Sequence, residues 1–399
     1  MKSSARKETA VPEEATSGTV RVLPRLVDHA AGRFRTLCEG ARFGSDTEAT
    51  VATLRRLISV CGDHPIGSAP TEWVSEISDD NTPIEFSVAI AGEGIEVRVL
   101  FEPEGALPTV ASYREAGIAF NQHLEHAYGA HLGRFRKLQD LFLPEDMQGP
   151  FAVWSSAVFR RGRPPAFKAY FNPNACGAEN APALVEEGLN RLGLRGAWQS
   201  LRQHILARGT KLDELKYFAL DLADSPEARV KVYVRHHAVL AEELEFAAEP
   251  AHGYRPGETL AFVRAMSGGE ERLHARAAFT CSSFAGAADD RPQATTVYVP
   301  VCAYARDDER VHERVRSYLV NQGGDPKAYD AIVATYANRP LNEGVGMQSW
   351  IALRRHGGEV RLTVYLATEA NRVFSPGEVP APTGDYSTLV PPPPAPSDS

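Results

Sequence analysis

Side-chain alternation predicts an α+β fold: an antiparallel barrel of about ten strands, closed on itself, with helices outside and a polar lumen. Three observations lead there. In Ala228-Arg229-Val230-Lys231-Val232-Tyr233-Val234-Arg235, the cations and the tyrosine share one face of a strand and the valines share the other. A face with that much charge does not pack against an apolar core, so the valines meet the core and the charges line water or an enclosed cavity. The pattern then recurs, in Phe167-Lys168-Ala169-Tyr170-Phe171, Thr296-Val297-Tyr298-Val299, Thr363-Val364-Tyr365-Leu366 and Ile95-Glu96-Val97-Arg98-Val99-Leu100-Phe101. Finally, the strands come as hairpins separated by helices, an order that a doubly wound parallel sheet does not allow. Closure removes the sheet edges and explains why the apolar faces point outward, toward helices.

The elements follow in order. Val27 to Cys38 carries Val27, Ala30, Ala31, Phe34, Leu37 and Cys38 at helical spacing. Ser45-Asp46-Thr47-Glu48 has a capping-box pattern and opens a helix with Val51, Leu54, Leu57, Ile58 and Cys61 on one stripe. Ile84 to Ile90 and the Arg98 strand form a hairpin across Ala91-Gly92-Glu93-Gly94, followed by a helix from Tyr113 to Tyr128. Strands Phe151–Phe159 and Phe167–Phe171 precede helices Ala181–Leu192 and Ala197–Leu206. Tyr217–Leu222 and Val230–Val234 precede a helix near Glu258 to Ala265. His274–Phe284 and Thr295–Val301 precede helices Asp307–Leu319 and Pro326–Tyr336, and Met347–Leu353 with Val360–Leu366 completes a fifth hairpin. The expected organisation is one barrel domain over residues 21–372. A disordered tail is expected over 1–20, and a Pro-rich one, with Pro391-Pro392-Pro393-Pro394, over 373–399.

Composition narrows the function. The 399 residues carry a net charge of −8 and 43% hydrophobic side chains, which suits a soluble globular protein and argues against general nucleic-acid binding. No apolar run approaches the ~18–20 residues that span a bilayer, and Met1 to Thr19 lacks the apolar stretch of a secretory signal. Cys38, Cys61, Cys176, Cys281 and Cys302 are scattered and form no Cys-x-x-Cys pair, so reduced thiols in a cytoplasm are expected.

Arg98, Lys168, Arg229 and Lys231 converging in a lumen suit a multiply charged anion, and a diphosphate is of the right size. Neighbouring phenol faces attract positive charge by roughly 0.5–2 kcal/mol each. Cations for a leaving diphosphate beside π-faces for the carbocation left behind resemble a site for ionising an allylic diphosphate. Glu85, on a face with Ser87 and Ala89, offers a carboxylate that can accept a ligand N–H or O–H; a salt bridge to a lumen arginine is an equally good reading of its position. The pairs Asp79-Asp80, Asp289-Asp290 and Asp307-Asp308 read as turn residues or helix N-termini, and none extends to an Asp-Asp-x-x-Asp magnesium motif. His123, His126 and His131 have no convincing metal-ligand spacing.

Thr82-Pro83-Ile84-Glu85-Phe86-Ser87, Lys168-x-Tyr170, Arg229-x-Lys231-x-Tyr233, Val297-Tyr298-Val299-Pro300 and Thr363-Val364-Tyr365 together resemble the dimethylallyltryptophan synthase family of aromatic prenyltransferases. The likeness spans about residues 25–370 and is nearer the shorter bacterial members than the fungal ones. It implies a ten-stranded antiparallel barrel of α-β-β-α repeats (the ABBA or PT-barrel fold) with the reaction inside it. It further implies transfer of a prenyl group from an allylic diphosphate, usually dimethylallyl diphosphate, to an indole without a metal or other cofactor. By position, Glu85 matches the glutamate that binds the indole N–H. Arg98, Lys168, Arg229 and Lys231 match diphosphate ligands, and Tyr170, Tyr233, Tyr298 and Tyr365 match the tyrosine shield of the prenyl cation. Three positions depart from the family: a fungal lysine proposed as base falls near Ser155, a glutamine falls at Thr296, and a shielding tyrosine falls at Trp350.

The expected activity is therefore a cytoplasmic, metal-independent indole prenyltransferase of secondary (alkaloid) metabolism. Its partners are dimethylallyl diphosphate or a longer homologue, and tryptophan or a tryptophan-derived small molecule. Prenylation of another aromatic such as a phenol, and a barrel that only binds an isoprenoid or aromatic ligand, are the alternatives.

Overall fold

Ten antiparallel strands close into a barrel in the computed structural model, which describes residues 23–67, 72–91, 94–286, 290–356 and 358–380. Helices α1 (Leu26–Gly40) and α2 (Thr47–Ile58) lead into hairpin β1 (Ile84–Ala91) and β2 (Gly94–Phe101). Then come α3 (Val110–Tyr128), α4 (Gly133–Phe142), β3 (Val153–Arg160) and β4 (Arg163–Phe171). After α5 (Ala181–Arg191) and α6 (Ala197–Ile205), β5 (Asp213–Asp221) pairs with β6 (Val230–His236). A two-stranded ribbon, β7 (Val239–Leu240) with β8 (Arg272–Leu273), brackets α7 (Ala241–Ala248) and α8 (Glu258–Ser267). Hairpin β9 (Ala278–Phe284) and β10 (Ala294–Val299), helices α9 (Asp308–Asn321) and α10 (Lys327–Tyr336), and hairpin β11 (Gln348–His356) and β12 (Glu359–Ala367) complete the chain. The barrel order is β1-β12-β11-β10-β9-β6-β5-β4-β3-β2, and β1 pairs with both β2 and β12, which closes the sheet.

The core lies between the barrel's outer face and the helices. Phe34 of α1 meets Phe86 and Phe159, each at 5.3 Å between ring centroids. Phe142 of α4 stacks on Phe171 and Phe218 at 5.4 and 4.9 Å. Alternation produces this layer directly: Val97, Val99 and Phe101 are buried outward on β2, while Glu96, Arg98 and Leu100 point into the lumen. α3 comes so close to β3 that a Cβ on Gly117 would lie 2.2 Å from Val153 Cγ1, so only glycine fits there.

Two expectations need correcting. The capping box at Ser45-Asp46-Thr47-Glu48 does not form: residues 44–46 make a 3₁₀ turn, and α2 has no side-chain cap. Asp46 instead accepts the Gly162 N–H at 2.8 Å, and Glu48 pairs with Arg35 at 2.7 Å. The folded chain also continues past residue 372, because Phe374 is buried against Cys302 and Val345 and bridges Val345. Asp79 sits in a turn as expected but also forms a two-pronged ion pair with Arg276 at 2.5 and 2.6 Å. Asp307 does cap α9, accepting the Arg310 N–H at 2.9 Å. The tail over 1–20, the proline run at 391–394, Asp289 and the Gly92-Glu93 turn fall outside the described residues. Among the described residues no helix is long and apolar enough to cross a membrane.

Candidate active site

Strand register stacks the inward side chains in levels. At one end Ser156 pairs across with Lys168, Lys168 with Asp221, Ala219 with Lys231 and Lys231 with Ser283. On the opposite wall Thr296 faces Arg354, and Arg354 faces Arg361. Arg98, Lys168, Arg229 and Lys231 thus share one region, and Arg160, Arg354 and Arg361 join them. Glu96 accepts from Arg98 at 2.5 Å, Arg160 at 2.7 Å and Arg361 at 3.1 Å; Asp221 holds Arg229 at 2.6 Å. Lys168, Lys231 and Arg354 have no ion-pair partner among the described residues, and the buried Arg354 Nε donates to nothing.

This excess positive charge shifts protonation. Burial, reinforced by Arg229, pushes Lys231 down to about 7. Burial and the neighbouring Lys231, Arg229 and Arg98 hold Lys168 well below the usual lysine range. Burial opposes ionisation of Asp221, yet Lys168, Arg229 and Lys231 outweigh it and keep the carboxyl below its ordinary value. The end of the lumen is therefore short of negative charge, which is the condition for binding a polyanion.

A belt of phenols comes next. Tyr170, Tyr233, Tyr298 and Tyr365 form a chain with centroid spacings of 5.9, 6.1 and 5.8 Å. Tyr217 joins at 5.7 Å from Tyr233 and 6.5 Å from Tyr170, and Cys281 is buried among these rings.

Glu85 lies beyond the belt, opposite Leu100 and Ala367, one inward position along β1 from Ser87, which pairs with Arg98 and Tyr365. It is 6% exposed and accepts one hydrogen bond, from Ser349 Oγ at 2.9 Å. No cation lies within ion-pair distance of it among the described residues, so the salt-bridge reading fails. Burial pushes its carboxyl up to about 8, with the Ser349 hydroxyl pulling the other way. The other charges at this end are paired: Arg276 with Asp79, Lys216 with Glu76 at 2.9 Å, and Arg235 with Glu214 at 3.5 Å. Two aromatic walls flank Glu85. Ile77, Phe151 and Trp154 form one, with Leu100 and Tyr217 packed against them. Phe279 and Trp350 form the other, 5.3 Å apart, with the Arg276 guanidinium 4.4 Å over the Trp350 ring.

With that geometry in view, the chain can be set beside known proteins. The tryptophan dimethylallyltransferase family model matches residues 45–247. The chain belongs to that family. The 6-dimethylallyltryptophan synthase from Micromonospora olivasterospora, solved with DMASPP and Trp, is 36% identical, with 88% of this chain and 99% of that one covered at a TM-score of 0.81. Prenyltransferase PriB, in a ternary complex with L-tryptophan and dimethylallyl thiolodiphosphate, is 32% identical over 89% of this chain and 99% of its own, with a TM-score of 0.79. The 5-dimethylallyl tryptophan synthase from Streptomyces coelicolor is 31% identical over 89% and 98%, with a TM-score of 0.80.

Within this tryptophan dimethylallyltransferase fold, the four expected cations come together, and so do the four expected tyrosines. Trp350 stands apart from these four rings: it lies 5.3 Å from Phe279, on the Glu85 side. Ser155 faces outward, paired with Ala169, and the inward positions on either side of it are Trp154 and Ser156. The sequence patterns above do not single out Arg354, Arg361, Glu96, Asp221, Tyr217, Trp154, Glu102 or Ser349. Arg361-x-Thr363-x-Tyr365 and Tyr217-x-Ala219-x-Asp221 carry the alternation that would have found several of them. Among the described residues, no group of three or more His, Cys, Asp or Glu side chains is placed to hold a metal ion.

Proposed function

We propose that this chain transfers the dimethylallyl group of dimethylallyl diphosphate to the indole ring of tryptophan or a close derivative, in the cytoplasm, without a metal. One observation carries the reading: unpaired cations, a phenol belt and a lone buried carboxylate follow one another along a single lumen. The diphosphate lies among Lys168, Lys231, Arg354, Arg98 and Arg229. As the allylic C–O bond breaks, negative charge grows on the diphosphate where the cations are already oriented, and positive charge grows on the allyl group beside the tyrosine faces. Glu85 accepts the indole N–H, which orients the ring and stabilises the positive charge it acquires as the ring carbon bonds to the allylic carbon. The ring then loses its proton and regains aromaticity.

The relatives solved with tryptophan and a thiolodiphosphate analogue support both substrates. The five free cysteines support a reducing compartment. The test is incubation of the protein with labelled dimethylallyl diphosphate and a panel of indoles and phenols. Multiple turnovers to a prenylated indole are expected; stoichiometric retention without product, or prenylation of phenols alone, overturns the reading.

A further inference from the structure

Glu102 follows the last residue of β2 and is 2% exposed, with no cation in ion-pair contact among the described residues. Both of its carboxylate oxygens accept indole N–H groups of the protein itself. Trp154 Nε1 donates to Oε1 at 3.0 Å, and Trp73 Nε1 donates to Oε2 at 3.2 Å. The two tryptophans belong to different parts of the molecule. Trp154 is an inward residue of β3, fully buried, lying 4.2 Å from Phe151 at an interplanar angle of 28° and 5.3 Å from Tyr217. Trp73 belongs to the segment before β1 and stacks on Tyr113 of α3 at 4.0 Å. The same segment supplies Ile77 to the Trp154 wall, Glu76 to Lys216 and Asp79 to Arg276. Glu102 also donates its backbone N–H to Pro83 O, two residues before Glu85.

An indole in an aromatic wall slides easily, because stacking constrains its separation from neighbouring rings far better than its rotation in its own plane. A directional hydrogen bond at the ring nitrogen removes that freedom, and a charged acceptor does so more strongly than a neutral one. Burial pushes the Glu102 carboxyl up to about 7, opposed by the Trp154, Trp73 and Ser75 hydrogen bonds, so the tryptophans also help hold it ionised.

We propose that Glu102 is a positioning residue of the acceptor pocket. By holding Trp154 and Trp73 together it sets the plane of the wall facing the acceptor ring and seats the 72–83 segment across that end of the barrel. It thereby decides which ring carbon is presented to the allylic carbon. The inference rests on the acceptor reading of the Glu85 end. It assigns control of ring position to a residue that touches neither substrate.

The experiment compares wild type with Glu102→Gln, Trp154→Phe and Trp73→Phe, measuring KM for donor and acceptor, the ratio of ring-position isomers and the melting temperature. Glu102→Gln keeps one acceptor oxygen but turns an amide N–H₂ against one indole N–H, so one tryptophan loses its anchor. Acceptor KM is expected to rise roughly tenfold, the loss of one such bond, with a second ring-position isomer appearing and donor KM unchanged. Trp73→Phe, at a half-buried position that removes only the outer bond, should shift the isomer ratio in the same direction even if Glu102→Gln folds poorly. Glu102→Gln added to Trp154→Phe should cost less than the two effects summed, because the residues share one bond. A fall in melting temperature with unchanged isomer ratio and unchanged acceptor KM in the folded variants overturns the inference and leaves the function standing. A wild type that prenylates no indole overturns both.

Discussion

The two ends of the lumen handle charge in opposite ways. Around Lys168 and Lys231, cations exceed their carboxylate partners, and the surplus lowers the lysines' affinity for protons. Around Glu85, each cation already has a carboxylate (Arg276 with Asp79, Lys216 with Glu76, Arg235 with Glu214), while Glu85 itself has one hydroxyl donor and no cation. The first end holds electrostatic strain that a polyanion relieves. The second is neutralised in advance and offers direction, through one oxygen acceptor between two aromatic walls. A substrate pair that splits into an anion and a cation needs both conditions. The tyrosine belt separates them by one layer of rings, close enough for the allyl group to pass from one to the other.

The largest effect should come from Glu85. Glu85→Gln preserves shape but weakens the acceptor, and Glu85→Ala removes it. Turnover per folded molecule should fall roughly 10²-fold or more, a typical loss for one positioned acid–base group, with donor binding intact. Melting temperature and turnover measured on the same samples check this. Near-normal turnover by well-folded Glu85→Ala would place the acceptor elsewhere and dissolve the contrast between the ends.

Lys231 comes second. Lys231→Met should weaken donor binding roughly 10–150-fold, the loss of one charge-assisted contact. Because this ammonium is buried among like charges with its proton affinity depressed from 10.5 to about 7, the unfolded chain binds its proton more tightly than the folded one near neutral pH. Removing it should therefore raise the melting temperature while it lowers affinity. Calorimetry and donor titration on one preparation test both signs, and a fall in both would mean that Lys231 is compensated in the folded protein.

Much of this was legible because inward and outward residues differ so sharply in kind. Lys168-x-Tyr170 and Arg229-x-Lys231-x-Tyr233 are unambiguous strand faces, and the five hairpins set between helices account for all ten barrel strands. Alternation failed where the strands depart from it. On β11 the register shifts between Gln348 and Ile351, so Ser349 reaches Glu85 while the next residue, Trp350, also points inward to Phe279. On β5 a shift between Leu215 and Tyr217 sends Lys216 to Glu76 and Tyr217 to the phenol belt. These two irregularities lie at the Glu85 end; a third, on β3 between Val158 and Arg160, lies at the cation end and is what brings Arg160 to Glu96 unannounced. Helices α4 and α7 escaped as well: α4 opens on a glycine and is rich in Arg and Lys, and α7 is eight residues long, too short for a clear stripe. Glu102 and Trp154 meet across 52 positions of sequence, a pairing that no local pattern encodes.

The pH dependence should separate the ends with opposite slopes. In the proposed reading Lys231 would bind diphosphate as the ammonium, the form present below about 7 in the empty lumen, and Lys168 is depressed in the same sense. The surrounding arginines stay charged, and Glu96 and Asp221 stay ionised. Donor affinity should therefore fall as pH rises through 7, by up to about tenfold per unit per lysine. Glu85 accepts best as the carboxylate, the form present above about 8, so acceptor affinity should rise as pH passes through that value. Separate binding titrations of donor and acceptor between pH 6 and 9, a range chosen to bracket both values, make the comparison. Slopes of the same sign would mean that one of the two groups is not in its assigned place.

The smallest expected effect is that of removing divalent metal. In a metal-dependent ionisation, an ion bridges the diphosphate to carboxylates and neutralises the leaving group. The carboxylates at the cation end here are already committed: Glu96 to Arg98, Arg160 and Arg361, and Asp221 to Arg229. An ion would have to displace those guanidinium groups and then sit among Lys168, Lys231 and Arg354, whose charges repel it. In the proposed reading the cations themselves would supply the neutralisation, with less freedom to reorganise than an exchangeable ion has. Excess chelator should thus leave turnover within about twofold of its value. A loss of about tenfold or more that magnesium restores would show that the diphosphate enters with its own ion and that the cation end is built for a less charged complex than the free polyanion.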